Sequence, residues 1–247
     1  MSTDGNDRDD RDDRDDREGV GTRAAIAAEV PADAIDLDEL TALWIAVTDA
    51  GGSIGLTPPA TDAQARPLAV GLLDEVRDGQ VTLLAAHQDE RLVGLVSVYR
   101  PPSFRTGHRA YLRRLQVHPD QQGTGLGGRL VEAAHAHASQ HGAELAIVEV
   151  RDGEGLDGFY HRYGYVEVGR IPDALAFEDG SRRDEVLMAA DLRGGDGRSV
   201  AWGDRAGGTA ALVGGAGGVG GVGGVGGELT GDGRVGGEVA ADGDADG

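Results

Sequence analysis

Two repeats confine any folded core to the middle of this 247-residue chain. Residues 4–17 repeat Asp-Asp-Arg, and Gly214 to Gly227 repeat Gly-Gly-Val. The first offers no apolar side chain to bury, and glycine opposes both helix and strand. Neither end can therefore offset the entropy of ordering itself. We expect a disordered acidic tail at 1–21, one folded domain at 22–192, and a disordered Gly-rich acidic tail at 193–247.

Charge and missing residue types narrow the chemistry. The net charge is −20, and the two tails carry half of it. An acidic body repels phosphate backbones, which argues against nucleic acid, and attracts cationic substrates such as amines. The chain has no cysteine, and all 23 of its Lys and Arg residues are arginine. Disulfides, thiolate metal sites, a P-loop lysine and Schiff-base chemistry are thereby removed. The start lacks the pattern of a signal peptide, and residues 206–227 are too glycine-rich to favour a bilayer. The expectation is a cytoplasmic protein without a membrane partner.

Periodicity between the tails predicts alternating elements. A strand spans Thr22 to Val30, stopped by Pro31. Asp36 or Asp38 caps a helix whose Leu40, Leu43, Trp44 and Val47 share one face. A second helix runs from about Pro67 to Gly79, with Leu68, Leu72, Leu73 and Val76 inward. Val81 to Ala86 and Leu92 to Tyr99 form a hairpin about Gln88-Asp89-Glu90, and Ala110 to Val117 is the next strand. A glycine-rich turn leads into a helix over Leu126 to His141, then a strand at Glu144 to Val150 and a short helix at Leu156 to Arg162. Strands at Tyr165 to Gly169 and Glu185 to Ala190 finish a mixed α/β sheet.

The sharpest signal is the passage from the strand ending at Val117, through His118-Pro119-Asp120-Gln121, to Gln122-Gly123-Thr124-Gly125-Leu126-Gly127-Gly128 at a helix start. Unpaired N–H groups and the positive end of the helix dipole bind phosphate there, and glycines let the backbone come close. Arg129 can add a formal charge. Gly123, Gly125 and Gly128 also satisfy a dinucleotide fingerprint, with Glu149 as its acid, so NAD is an alternative ligand. Five residues separate Val117 from Gly123, however, and too little chain follows to complete a dinucleotide-binding sheet.

Leu115-Gln116-Val117-His118-Pro119 followed by Gln122-x-x-Gly125-x-Gly127 resembles the acetyl-CoA signature of the GNAT superfamily of N-acetyltransferases. Gly158-Phe159-Tyr160-His161-Arg162-Tyr163-Gly164-Tyr165 resembles that superfamily's late element. Gly51 to Leu56 and Val168 to Pro172 are most similar to the branch containing the tabtoxin-resistance acetyltransferase. The resemblance implies the GNAT acyl-CoA N-acyltransferase fold, a mixed and mostly antiparallel sheet flanked by helices. It implies acetyl-CoA as co-substrate, lying where the strand of Leu115 to Val117 splays from that of Leu145 to Val150. The pantetheine arm would pair with the backbone of Leu115 and Val117, and the pyrophosphate would sit on the amides of Gly123 to Gly128. Many members carry Asn seven residues before the tyrosine; here Gly153 stands there.

Acetyl transfer to an amine needs a base, a donor for the oxyanion and an acid near the departing thiolate. The resemblance places Tyr160 beside the sulfur, where a protonated phenol can donate. Glu149 is the candidate base, a carboxylate within an apolar strand, eleven residues before Tyr160 as in the tabtoxin-resistance type. The oxyanion donor is a backbone N–H near Gln116 or Val117. A small-molecule amine is the expected acceptor, and a homodimer is compatible with such folds. A non-catalytic acyl-CoA sensor is the rival reading.

No metal is expected. His135, His137 and His141 lack a carboxylate or cysteine to complete a set and read as a solvated helix face. Gly51-x-Ser53-x-Gly55 has the pattern of a hydrolase elbow, but a helix precedes it and a Thr-Pro-Pro loop follows, so a substrate-site loop is the better reading. His108 and His118 can shuttle protons, and Arg113 and Arg114 can attract phosphate or pair with surface acids.

Overall fold

A computed structural model describes residues 23–52, 55–177 and 179–194. The N-terminal tail, the C-terminal tail from residue 195, and Ser53 and Ile54 of the proposed substrate loop lie outside the described residues.

Strand β1 (Ala25–Ala27) is shorter than its apolar run, because Glu29 turns to φ +55° and leaves the sheet before Pro31. Helix α1 (Leu37–Asp49) starts at Asp36, whose carboxylate accepts the N–H groups of Asp38 at 2.8 Å and Glu39 at 3.0 Å. Helix α2 (Asp62–Arg77) begins a turn earlier than Pro67 suggests. Gln64 reaches back to the Thr61 N–H at 3.1 Å, and this cap fixes the start. Pro67 then sits inside the helix and forgoes one backbone bond. The buried face of α2 is Ala65, Ala69, Leu72 and Leu73, whereas Leu68 is 38% exposed, contrary to expectation.

Strands β2 (Val81–Gln88) and β3 (Arg91–Tyr99) form the expected hairpin, with positive φ at Asp89 and Glu90 as a two-residue turn demands. Strand β4 (Arg109–Val117), helix α3 (Leu126–Gln140), strand β5 (Leu145–Arg151) and helix α4 (Leu156–His161) fall where periodicity puts them. Strands β6 (Val166–Ala176) and β7 (Arg182–Asp191) run well past their apolar residues. β6 is an edge strand, so it tolerates Pro172 at a register shift between Ile171 and Leu175, with Asp173 at φ +53°.

The seven strands among the described residues lie in the order β1-β2-β3-β4-β5-β7-β6. Every neighbouring pair is antiparallel except β4 with β5. Alternation along the strands supplies two cores. Leu83, Ala85, Leu92 and Leu95 pack with α1 and α2 on one face. Leu84, Ala86, Val96, Leu112, Val148 and Met188 pack with α3 and α4 on the other. Because β3 is covered on both faces, its sequence is nearly all apolar. No helix among the described residues is long and apolar enough to cross a membrane.

Candidate active site

A single extra residue opens the middle of the sheet. Ser97 pairs with Arg113 but Leu95 pairs with Gln116, so β4 carries one residue more than β3 across that interval, and Arg114 takes φ +53°. Such a bulge bends and twists the strand that bears it. β4 pairs with β5 only through Arg109↔Leu145, Ala110↔Ala146 and Tyr111↔Ile147. Beyond Tyr111 the two strands part, leaving Leu115 to Val117 without a neighbour on that side. His118 donates to the Val93 carbonyl at 2.9 Å, so its neighbour Val117, and Leu115 two residues back, turn their backbone groups toward the gap. The Gln122 side chain already donates to the Val117 carbonyl at 3.2 Å.

The same gap leads to the head of α3. Gly123 and Gly125 hold φ of +76° and +84°, a left-handed backbone that glycine adopts without steric cost. The first helical bond is that of Arg129 N–H to the Gly125 carbonyl at 3.2 Å. The N–H groups of Gly123, Thr124, Gly125, Leu126, Gly127 and Gly128 therefore find no acceptor among the described residues. Gln122 through Gly125 are exposed, so the first of these donors lie at the surface, whereas Leu126 and Gly128 are buried and Gly127 is half-buried. Six adjacent free amides at a helix N-terminus form a cradle for a phosphate-bearing group.

Gly128 has a second reason to be glycine. A Cβ there would overlap the Tyr163 hydroxyl, whereas one at Gly127 would meet Phe159 and Val117 at an ordinary 3.6 Å. Helix α4 and the turn that follows it thus lay Phe159 and Tyr163 across the first turn of α3. Tyr160 points into the core on the α3 side of the sheet, edge-on to Phe159 and Tyr165 at centroid distances of 5.0 and 5.2 Å. Burial pushes its phenol up to about 12. Tyr165, deeper still, bonds His135 at 2.9 Å.

Glu149 lies on the other face. Ala146, Val148 and Val150 of β5 enter the α3-side core, so Ile147, Glu149 and Arg151 point away from it. Glu149 is exposed, and sequence reasoning missed its companion Glu185, diagonal to it across the β5–β7 register. Desolvation, and then the charge of Glu149, raise the Glu185 carboxyl above its ordinary range. The signal available was the one used for Glu149, an acid opening an apolar strand.

Other expected residues serve the scaffold. The Gln116 side chain is buried on the α1/α2 side, and neither its amide nitrogen nor its oxygen has a partner among the described residues. Arg114 pairs in bidentate fashion with Glu75 at 2.7 and 3.1 Å, and Arg113 stacks on Tyr99 at 4.4 Å. Arg129 is turned from the cradle to the Ala24 carbonyl at 2.7 Å. His118 caps the loop by accepting the Asp120 N–H at 3.2 Å, and the His108 carbonyl receives Glu144 N–H at 2.7 Å. Gly153 holds φ +84°, a conformation open to glycine and tolerated by asparagine, so this chain keeps the turn and drops the amide. The solvated helix face expected of His135, His137 and His141 is overturned, since His135 and His137 are 2% and 7% exposed. A carboxylate does join the last two, that of Glu29.

Residues 68–173, from α2 through the cradle and α4 into β6, match the family model described as acetyltransferase (GNAT) domain. The fold is that of the GNAT acetyltransferases. An N-acetyltransferase from Staphylococcus aureus Mu50 superposes with a TM-score of 0.57 at 11% identity, covering 69% of this chain and 99% of its own. The ribosomal-protein-alanine N-acetyltransferase from Brucella melitensis gives 0.55 at 20% identity, over 68% and 99%. A Salmonella typhimurium protein described as an acetyltransferase, solved with its cofactor acetyl-CoA, gives 0.53 at 15% identity, over 69% and 95%. The mostly antiparallel sheet argues against the dinucleotide alternative, which needs a parallel one.

Proposed function

We propose that this protein is an N-acetyltransferase that moves the acetyl group of acetyl-CoA to the amine of a small molecule by direct attack on the thioester. The observation that carries this reading is the row of six free amides from Gly123 to Gly128, set beside the gap between β4 and β5. Gln122 to Gly128 would hold the pyrophosphate, and Leu115, Gln116 and Val117 would offer the strand that lines the pantetheine arm. When bound, acetyl-CoA supplies an acyl group activated as a thioester.

The protein's part is proton placement. Glu149 takes the proton that the protonated amine must lose, on the face where its acidic neighbour Glu185 also attracts a cation. The Val117 N–H, turned to the gap, is the candidate donor to the carbonyl oxygen, since the Gln116 backbone belongs to the β3 pairing. As nitrogen bonds to carbon and the carbon–sulfur bond breaks, Tyr160 donates to the departing sulfur. A phenol at about 12 holds its proton more tightly than a thiol at about 8.5. Tyr160 therefore stabilises the thiolate through a hydrogen bond, and solvent completes its protonation.

The resemblance of Gly51 to Leu56 and Val168 to Pro172 to the tabtoxin-resistance branch inclines the acceptor toward an amino-acid-like small amine. The test is release of free thiol from acetyl-CoA across a panel of such amines, polyamines and peptides. Turnover with a small amine bears the proposal out. Stabilisation by acetyl-CoA with no acetylation of any amine makes the protein a sensor instead.

A further inference from the structure

At the opposite end of α3 from the cradle, three potential ligand atoms converge. Glu29 Oε1 lies 3.3 Å from His141 Nε2 and 3.6 Å from His137 Nδ1, and all three atoms fall within 4.8 Å of one another. His137 and His141 are one helical turn apart, with ring centroids 4.2 Å apart. Glu29 comes from the turn after β1 and is held there at φ +55°.

A tetrahedral zinc ion has bonds of about 2.0–2.2 Å to imidazole nitrogen and carboxylate oxygen, so its ligand atoms stand about 3.4 Å apart. The two measured separations straddle that edge. His141 Nδ1 lies 2.8 Å from the His137 carbonyl, where it can only donate, which leaves Nε2 turned to Glu29. His137 turns Nδ1 to the same oxygen at a distance beyond hydrogen bonding. One divalent ion between the three atoms satisfies every lone pair. The bond from His141 Nδ1 to a backbone carbonyl is the support that orients a metal-binding imidazole.

We propose that Glu29, His137 and His141 bind one zinc-class divalent cation, with water in the fourth position, and that this ion clips the β1 turn to the end of α3. Two imidazoles with one carboxylate select zinc over magnesium or calcium. Because the ligands join the β1 turn to the end of α3 opposite the cradle, the ion would brace the scaffold, remote from the acyl-transfer site.

The test is a zinc titration of the full-length protein after chelator treatment, followed by calorimetry and thermal melting. One zinc per chain should bind, and Tm should rise by about 5–10 °C at a hundredfold excess over Kd. Glu29→Gln and His141→Ala should each weaken binding at least about tenfold with an unchanged circular dichroism spectrum. X-ray absorption of the wild-type complex should show imidazole scattering, a readout that survives if either variant misfolds. Equal affinity in wild type and variants, or an oxygen-only shell, would assign the metal to the acidic tails and overturn the proposal. So would the absence of both heat and a Tm shift.

Discussion

At the scale of single residues, the two faces of the sheet divide the chemistry. Tyr160→Phe removes only the phenolic donor from a well-packed ring, so turnover should fall about 10²- to 10⁴-fold while acetyl-CoA binding is kept. A thiol-release assay paired with calorimetry reads both quantities, and unchanged turnover would remove Tyr160 from the reaction. Glu185 has a raised pKa in the folded protein. Its protonated form is therefore favoured by folding, and the stability it contributes is lost as pH rises through that raised value. Glu185→Gln should raise Tm at neutral pH and have little effect below the ordinary carboxyl range, which melting curves at the two pH values will show. The residues proposed for these roles are picked out by the chain itself, because a tyrosine after phenylalanine and an acid inside an apolar strand are local patterns. The coupling of Glu149 to Glu185 is not, since it depends on the β5–β7 register across 36 residues of chain.

At the scale of elements, α3 and α4 are fitted to each other through one missing methyl group. Gly128→Ala would drive a Cβ into the Tyr163 hydroxyl. We expect a loss of about 1–3 kcal/mol, as overpacking costs elsewhere. Tyr163→Leu in the same background should recover most of it, a coupling that a double-mutant cycle in denaturant measures. The glycine-rich stretch predicts a phosphate cradle, and positive φ accounts for glycine at positions 123 and 125. Composition alone could not separate those two from Gly128, whose partner lies 35 residues further on. Element ends followed a similar rule. Caps written locally, as at Asp36, were readable, whereas α2 was misplaced because proline is a louder signal than the Thr61–Gln64 box. The hairpin of β6 and β7 outran prediction because its outer half is polar and is held instead by Arg170, bonded to Asp184 at 3.2 Å and Glu167 at 3.1 Å.

For the whole molecule, acid should be the weak side. Burial lowers the His135 pKa to about 4, beneath Tyr165 in the core that joins α3, α4 and the sheet. The unfolded chain takes up that proton from about pH 6.5 downward and the folded chain resists it. Stability should thus fall between pH 6.5 and about 4, and denaturant midpoints across that range will follow it. His135→Gln, which cannot titrate, should flatten the dependence whatever it does to the absolute value. The cluster of Glu29 with His137 and His141 belongs to this scale as well. Its members are 108 and 112 residues apart in the chain, which is why helical spacing alone read the two histidines as surface.

Among the described residues, β4 and β5 are paired only at Arg109 to Tyr111, just beyond the bonds that the His108 carbonyl takes from Glu144 and Leu145. The sheet is in effect a clothes-peg, with β1 to β4 as one arm, β5 to β7 as the other, and that short seam as its spring. Whatever is gripped in the jaws supplies the cross-links that the backbone leaves out, so an occupied peg is a stiffer object than an empty one. The acetyl-CoA of the proposed reaction would thus double, for as long as it is held, as part of the protein's own framework.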